Sequence, residues 1–413
     1  MKKGWLKAVL LLSLVVLQSC SDDNSINPSR SVYDAGTLVL HGTHTNRGFA
    51  HGYVKGTGVK RIFDELIIGS FFVYHSDSSR ADSLYEARKS FIANKFTIEQ
   101  IYRDEAAGIL KGMKAAGVPI RNQILGRDLD SMDILMITCV EEFLLAFDHK
   151  FGCSSISAWG SATSGDSLLK GETVITRAWD WNRHPAIMDN LLYVVHHPSE
   201  PSEQKWCGVI MAGMVGCHSI MTENMGAFLN YGYQDTIDNI GPYRIISLAM
   251  REAIEKRDIN GDGKQNNSDV VSALSKSVPY FSAIVHSVSA RSTGDSSVVI
   301  ELSNRKGVKT RFSKSDPAVE GPSLIATNHM RVEYTPENCW RYEGLKNGLN
   351  SAYPDTSLSM EKMWDLHTKA AGVAWNQYFL LFVPSSGILK LSRGTVPVPG
   401  YQVSPTTFLF KDY

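Results

Sequence analysis

The feature that most constrains this chain is a change of texture at Gly152-Cys153. Before it, apolar residues recur at helical spacing, as in Phe63-Asp64-Glu65-Leu66-Ile67-Ile68 and Ser131-Met132-Asp133-Ile134-Leu135-Met136. Residues 33–152 therefore read as mainly helical. After it come short β-branched runs, Glu172-Thr173-Val174-Ile175-Thr176, Leu191-Leu192-Tyr193-Val194-Val195 and Val298-Val299-Ile300-Glu301-Leu302. These have the length and residue types of strands. Helical spacing returns at 245–256 and 360–371. Strands flanked by helices predict an α+β fold with sheets covered by helical layers. The roughly 380 residues from position 33 onward suffice for one large or two modest cores.

The first residues read as an address. Lys2, Lys3 and Lys7 make a basic start, and Ala8 to Leu17 is an apolar run. That run is too short to span a bilayer and fits a secretory signal over residues 1–19. Leu17-Gln18-Ser19-Cys20 resembles a bacterial lipoprotein processing site, which implies cleavage before Cys20 and lipid on its sulfur. The alternative is an ordinary secreted protein cut near Ser19. Residues 20–32 are polar and turn-rich, with Asp22 and Asp23 directly after the cysteine. Such a segment buries little and serves as a flexible tether. Its acidic start resembles the surface-export signal of Bacteroidota lipoproteins, implying an outer-membrane or cell-surface location with membrane contact through the lipid alone.

Charge narrows the partners. The 42 basic and 42 acidic residues cancel, and no basic stripe offers a footing for nucleic acid. Besides Cys20 there are Cys139, Cys153, Cys207, Cys217 and Cys339, with no C-x-x-C pair. In an exported chain an odd number leaves one thiol over even if the other four pair. No Cys/His cluster has zinc-ligand spacing.

Phe151-Gly152-Cys153-Ser154-Ser155 marks where chemistry is expected. A cut before Cys153 would leave one residue carrying both a thiol and a free α-amine. The unperturbed amine has a pKa near 8 and the thiol lies about half a unit higher, so one residue supplies nucleophile and base. Gly152 leaves the scissile carbonyl open and the backbone free to turn. The bland alternative for Cys153 is a small buried hydrophobe.

Further motifs stand around this one. Ile175-Thr176-Arg177-Ala178-Trp179-Asp180-Trp181 follows it. His41-Gly42-Thr43 and Gly48-Phe49-Ala50-His51-Gly52 precede it. Thr222-Glu223-Asn224-Met225-Gly226, Ala326-Thr327-Asn328-His329 and Trp340-Arg341-Tyr342 come later. In this order they resemble the penicillin acyltransferase family, peptidase family C45. That family is related to the choloylglycine hydrolases within the N-terminal-nucleophile (Ntn) hydrolases. The resemblance covers nearly all of residues 37–400. It implies an αββα sandwich of two stacked antiparallel sheets between helical layers. Residues 33–152 would form a mainly helical pro or alpha segment, and 153–413 the catalytic beta segment of the same domain. It also implies self-cleavage at Gly152-Cys153 and cleavage of the linear amide bond of a small acylated substrate through an acyl-enzyme, with no catalytic cofactor.

Roles follow residue by residue. Cys153 is the nucleophile. Asp180 matches the aspartate that orients the terminal amine, or else is a capping residue. Arg177 would place a cation near the thiol, or else is a solvated strand-end arginine. Positions three apart in a strand face opposite ways, so Arg177 and Asp180 both reach the site only if a bend or bulge intervenes. Asn328 matches an active-site asparagine suited to an oxyanion. Asn230 is a second donor candidate, although the chain departs there from the family's spacing. Arg341 binds a substrate carboxylate, supports the thiolate, or makes a surface ion pair. His51 and His329 read as structural hydrogen-bonders, because a terminal amine makes a histidine base unnecessary. Trp159, Trp179, Trp181, Tyr231 and Tyr233 suggest either an apolar acyl pocket or core.

A separate signal lies at 258–269. Asp258, Asn260, Asp262, Asn266 and Asp269 occupy positions 1, 3, 5, 9 and 12 of a loop with Gly263 at position 6. Lys264 at position 7 would offer its carbonyl. This is the spacing of an EF-hand or dockerin-type calcium loop, with aspartate in place of the usual glutamate at position 12. A structural calcium ion is expected, and the alternative is a polar loop without metal. Three functional rivals remain: an acyltransferase passing the acyl group to an amine, a phospholipase-B-like lipid amidase or esterase, and a non-catalytic calcium-binding surface lipoprotein. A conventional serine hydrolase is disfavoured, since no G-x-S-x-G elbow occurs.

Overall fold

The computed structural model describes residues 33–34, 36–74, 78–145, 152–181, 183–232, 234–235, 241–276, 279–291, 296–316, 318–335, 338–354 and 357–413. The expected signal, Cys20, the tether and Tyr233 lie outside them.

Before Gly152 the chain is mainly helical, as the spacing predicts. Helices α1 (His44–Arg61), α2 (Ala81–Lys95), α3 (Gln100–Ala115), α4 (Ser131–Thr138) and α5 (Val140–Leu145) fill this segment. Thr43 caps α1 through its side chain, which accepts from Asn46 N. Asp130 and Asp133 form a reciprocal capping box on α4. The Gly48–Gly52 motif has a packing reason. A Cβ on Gly48 would strike the Glu105 carbonyl, and one on Gly52 the Ile109 carbonyl. Gly108 and Gly112 answer from α3 against Thr45 and Phe49, so the two helix backbones touch. Where Phe63 to Ile68 predicts an α-helix, the chain continues from α1 as a wider π-helix, Ile62–Tyr74. That run is apolar on most sides, and the wider turn buries Ile62, Phe63, Leu66, Ile67, Ile68 and Phe72.

Two large sheets are built mostly from residues 152 onward, with two strands from before them. Strands are β1 (Tyr33–Asp34), β2 (Thr37–Gly42), β3 (Gly152–Ala158), β4 (Val174–Asp180), β5 (Leu191–Pro198), β6 (Trp206–Met211), β7 (Ser219–Met221) and β8 (Met225–Tyr231). They continue as β9 (Ser282–Ser289), β10 (Ser297–Ser303), β11 (Gly307–Arg311), β12 (Ser323–Ala326), β13 (Asn376–Val383), β14 (Ile388–Arg393) and β15 (Thr406–Leu409). One sheet has nine strands in the order β1-β2-β5-β6-β7-β8-β9-β10-β11, the other six in the order β12-β3-β4-β13-β14-β15. Their inner faces meet where β8 packs on β3 and β10 on β12. Helices α6 (Ile246–Glu255) and α7 (Asn267–Leu274) cover the first sheet, while α8 (Trp340–Ala352) and α9 (Met360–Ala371) cover the second. This is the α+β, αββα sandwich that the resemblance implies.

One pairing departs from it. β2 runs parallel to β5, so a strand from before Gly152 is built into a sheet that is otherwise antiparallel. The two segments therefore share one core, running from Leu38 to Phe410. The five cysteines from Cys139 onward are all free and buried, so no four of them pair. Among the described residues no helix is long and apolar enough to cross a membrane.

Candidate active site

The register of β3 against β4 places the junction. Cys153 stands opposite Trp179, Ser155 opposite Arg177, and Gly152 opposite Asp180. Directly opposed residues share a face. Cys153, Ser155, Trp179 and Arg177 thus look inward between the sheets, while Gly152 and Asp180 look toward the outer helices. Arg177 and Asp180 do face opposite ways, as their spacing requires. They still meet one group, because Asp180 flanks the peptide before Cys153 and Arg177 flanks its sulfur. The β4–β13 ladder also shifts register between Asn376 and Tyr378, a bulge at the strand end.

Each polar group here has identifiable partners. Cys153 N donates to Asn328 Oδ1 at 2.7 Å, and Asn328 Nδ2 donates to the Tyr231 carbonyl at 2.8 Å. Arg177 Nη2 lies 3.8 Å from Cys153 Sγ and also donates to the Leu229 carbonyl. Its Nη1 donates to Tyr378 Oη at 2.9 Å, and that hydroxyl meets Ser219 Oγ at 2.8 Å. Asp180 Oδ1 accepts from Asn376 Nδ2 at 2.7 Å, and Oδ2 lies 3.5 Å from Arg341 Nη2. Arg341 comes from the first turn of α8 and leans over the junction, so a Cβ on Gly152 would stand only 2.6 Å from Nη2. A larger residue at 152 would have to displace the Arg341 guanidinium.

Electrostatically the site is dominated by burial. Burial pushes the Cys153 thiol up to about 11, against the pull of the Arg177 charge. Burial raises the Asp180 carboxyl to about 6, opposed by Arg341 and the Asn376 hydrogen bond. Both shifts favour the neutral form. With the Gly152–Cys153 bond intact the thiol is therefore held in its less reactive state.

The structure brings together Cys153, Gly152, Asp180, Arg177, Asn328, Asn230 and Arg341. Asn230 lies on β8 with its amide nitrogen 3.5 Å from Ser155 Oγ and its oxygen buried without a partner. Trp179 and Trp181 pack side by side at 6.0 Å, and Trp179 also contacts His218 at 5.1 Å. Tyr231 is buried nearby, while Trp159 sits past the far end of β3. His51 Nε2 accepts from Gly213 N at 3.0 Å, and burial lowers its pKa to about 4. It is a neutral structural acceptor, as read. His41 stacks on His197 at 4.4 Å within the nine-stranded sheet. Sequence reasoning missed Asn376 and Tyr378. Their signal is two polar groups at the head of the apolar strand Asn376-Gln377-Tyr378-Phe379-Leu380-Leu381. It also missed Glu141 and Glu142 on α5. Glu141 Oε1 stands 2.9 Å from His218 Nε2. Burial and the neighbouring Glu141 push Glu142 up to about 8.

The 258–269 loop joins α6 to α7, so it does lie between two helices. Asp258 accepts from the backbone of Gly261, Asp262 and Gly263, and Asp262 Oδ1 from Lys264 N at 2.8 Å. Gly261 and Gly263 both take φ of +77°, a left-handed backbone suited to glycine. Asp269 is buried as N3 of the α7 capping box with Asn266. Its Oδ1 reaches back to Ile259 N at 2.8 Å. Asn260 Nδ2 bridges Asp262 and Ser268. Asp258, Asn260 and Asp262 thus turn their side-chain oxygens to N–H groups of the loop itself, and Asp269 to those of Ile259 and Asn266. Elsewhere among the described residues, His44, Glu200 and Glu203 approach closely enough to share an ion. Arg47 Nη2, 3.0 Å from Glu203 and 3.6 Å from Glu200, already supplies the positive charge there.

No family model matches the sequence, and no curated protein matches it. Solved structures overlap it in part. The Caenorhabditis elegans ortholog of N-acylethanolamine-hydrolyzing acid amidase is 15% identical, covering 62% of this chain and 99% of its own, with a TM-score of 0.43. Penicillin V acylase from Agrobacterium tumefaciens is 12% identical over 62% of this chain and 85% of its own, TM-score 0.40. A mutant of conjugated bile acid hydrolase from Clostridium perfringens is 10% identical over 63% of this chain and 93% of its own, TM-score 0.40. The αββα layering stands on the chain's own strands and helices.

Proposed function

We propose that this chain is a self-processing cysteine amidohydrolase of the Ntn type, with Cys153 as nucleophile. The observation that carries the reading is the setting of the Cys153 backbone nitrogen. Side chains are arranged around that nitrogen as well as around the thiol: Asn328 Oδ1 accepts from it at 2.7 Å, and Asp180 flanks its peptide opposite Gly152. A buried backbone N–H needs an acceptor in any protein, and here a side-chain amide supplies it next to a carboxylate. A residue whose α-amine is the base needs that arrangement.

In self-cleavage the Cys153 sulfur attacks the Gly152 carbonyl carbon and its proton passes to the departing α-amine. The C–N bond breaks and a Gly152 thioester remains. Water hydrolyses the thioester, giving a Gly152 carboxylate and a free Cys153. In turnover the α-amine takes the thiol proton and the sulfur attacks the substrate acyl carbon. The proton then leaves with the amine product, and water releases the acid from the acyl-enzyme. Arg177 favours the thiolate beside it. Asp180 and Asn328 hold the amine. The second hydrogen of Asn328 Nδ2 and the Asn230 amide are the donors for the oxyanion. Arg341, over the junction, engages the carboxylate of a product or substrate. Trp179, Trp181 and Tyr231 form an apolar wall suited to the acyl group of a small acylated amide.

Two further parts of the reading are separable. A calcium ion held by Asp258, Asn260, Asp262, the Lys264 carbonyl, Asn266 and Asp269 would brace the α6–α7 connection and take no part in the chemistry. Lipid on Cys20 would anchor the domain to a membrane surface, and a Cys20→Ser variant should then fail to incorporate labelled fatty acid.

The deciding experiment expresses residues 21–413 beside a Cys153→Ala variant, with a denaturing gel and N-terminal sequencing. The reading expects two chains from the unsubstituted protein, the larger beginning Cys-Ser-Ser-Ile, and one chain from the variant. A folded protein that stays whole in both cases, without hydrolysis of acyl amides, overturns it.

A further inference from the structure

At one end of the six-stranded sheet, apolar side chains stand in solvent around the approach to the site. Gly152 on β3, Asp180 on β4 and Asn376 on β13 pair across three neighbouring strands at that end. Of the groups gathered at the site, Gly152 and Arg341 are half-buried and the rest are buried, so the site opens there. Trp340 directly precedes Arg341 and is 55% exposed, with the Arg341 guanidinium 4.9 Å from its ring centre. Trp375 directly precedes Asn376 and is 51% exposed, and its carbonyl accepts from Trp181 N at 3.2 Å. Strand β14 also ends here, with Arg393 opposite Tyr378. The loop after it exposes Val396 at 57% and Val398 at 36%.

That loop is tied down. Gly394 N donates to the Gln377 carbonyl at 2.7 Å, Thr395 N to the Val398 carbonyl at 2.8 Å, and Arg183 to the Pro397 carbonyl. A single exposed apolar side chain is ordinary, whereas four around one opening mark an interaction surface. No residue from Gly394 to Phe410 carries a charge, and charge is what makes entry into lipid costly. Tryptophan favours the boundary of water and lipid, where its ring is apolar and its N–H stays wet. The N-terminal segment joins the domain at this same end. Tyr33 and Asp34 pair with Leu38 and Thr37, and the Gly36 carbonyl at that turn accepts from Arg393 Nη1 at 3.3 Å. Tyr33 stands 13 residues after Cys20, so a lipid on Cys20 lies at most about 45 Å from β1.

We propose that Trp340, Trp375, Val396 and Val398 form a lip that dips into a bilayer surface and lays the opening at Gly152 and Arg341 against it, so that the acyl amides reaching Cys153 are amphiphiles lodged in the membrane. This rests on the lipid at Cys20 and on the nucleophilic role of Cys153. A lipid on a tether holds the domain near the membrane without orienting it, and the lip supplies the orientation. An acyl chain then passes from the bilayer to the wall of Trp181 and Trp179 without exposing its apolar surface to water.

The test anchors residues 21–413 by an N-terminal histidine tag to nickel-chelating lipid in phosphatidylethanolamine–phosphatidylglycerol vesicles, which makes it independent of lipid on Cys20. Phospholipids brominated in their acyl chains quench tryptophans that reach into the bilayer. They should quench the anchored parent, and Trp340→Phe with Trp375→Phe should remove at least about half of that quenching. No quenching in the anchored parent, or equal quenching in the double variant, overturns the proposal. In kinetics, Trp375→Ser, Val396→Ser and Val398→Ser together should lower kcat/KM about tenfold on a long-chain acyl amide in the vesicles. On a short water-soluble acyl amide the change should stay below about twofold. Equal change on both substrates overturns the membrane role, and so does a triple variant that differs from the parent only by losing a dimer in solution. A parent that hydrolyses neither substrate defeats the proposed function instead, and a Cys20 that takes up no fatty acid defeats the natural anchor. In both cases the quenching still reads the lip.

Discussion

Two buried polar clusters in this molecule respond to burial in opposite ways. In the first, His44 Nδ1 meets Glu105 at 2.6 Å and Nε2 meets Glu203 at 2.9 Å. Arg251 binds Glu105 at 2.7 Å and Glu255 at 2.9 Å, and Tyr102 donates to Glu255 at 2.9 Å. Burial alone would neutralise these groups. Their partners win, holding His44 up to about 9 and Glu105 well below the usual carboxylate range. In the second cluster, around Cys153, burial wins. The thiol rises to about 11, Asp180 to about 6 and Glu142 to about 8. The difference is the number of partners per charge. Asp180 Oδ2 has only the 3.5 Å approach of Arg341 Nη2, and Glu142 Oε2 and Arg177 Nε have no hydrogen-bond partner. These groups are held toward their neutral forms because burial is not offset by enough partners. The paired cluster is a clasp. It joins His44, Tyr102 and Glu105, before Gly152, to Glu203, Arg251 and Glu255, after it, and would hold the two chains together once the junction is cut.

The comparison is tested most severely by removing one charge from each side. Arg251→Leu leaves Glu105 and Glu255 buried against an incomplete set of partners. It should cost about 3–5 kcal/mol in urea unfolding. Asp180→Asn should do the reverse. Its raised value means that the folded state holds the proton more tightly, so Asp180 lowers stability as pH climbs from its ordinary 3.8 to about 6, and the penalty is full above that. The variant should be more stable than the parent at pH 7.5, by about 1–3 kcal/mol, while self-cleavage slows by at least about 100-fold. A destabilised Asp180→Asn would mean the two clusters do not differ as described.

The clasp also has a pH signature. His44 is raised above its unfolded value, so its contribution is complete below about pH 6.5 and fades as pH rises through about 9. Glu105 and Glu203 are depressed, so theirs is lost on acidification below the ordinary 4.5. Urea midpoints of the parent should fall on both sides of a plateau between about pH 4.5 and 6.5, and His44→Phe should remove the alkaline fall. An unchanged alkaline limb would show that His44 is not the group. The smallest effect concerns calcium. Added calcium should raise the melting temperature by a few degrees through mass action, Asp258→Ala should abolish the rise, and hydrolysis should be the same in both. Calcium-dependent activity would instead link the loop to the site.

Much of this was legible in the residues. The junction of helical and strand texture at Gly152-Cys153, α9 at 360–371 and the α+β layering follow from periodicity, because a side chain's burial repeats with the geometry of its own element. The ordered motifs singled out Cys153, Asp180, Arg177, Asn328, Asn230 and Arg341, and the fold gathers all six. Periodicity cannot say which strand neighbours which. That β2 runs parallel to β5, that Asn376 meets Asp180 and that Tyr378 meets Arg177 depend on pairings between residues up to 201 positions apart. The sequence by itself determined which chemical groups the chain carries and which elements bear them. Tertiary structure alone decided which charges find partners, and so which remain paired in the clasp and which are left neutral around the thiol, because that depends on how completely each buried group is surrounded.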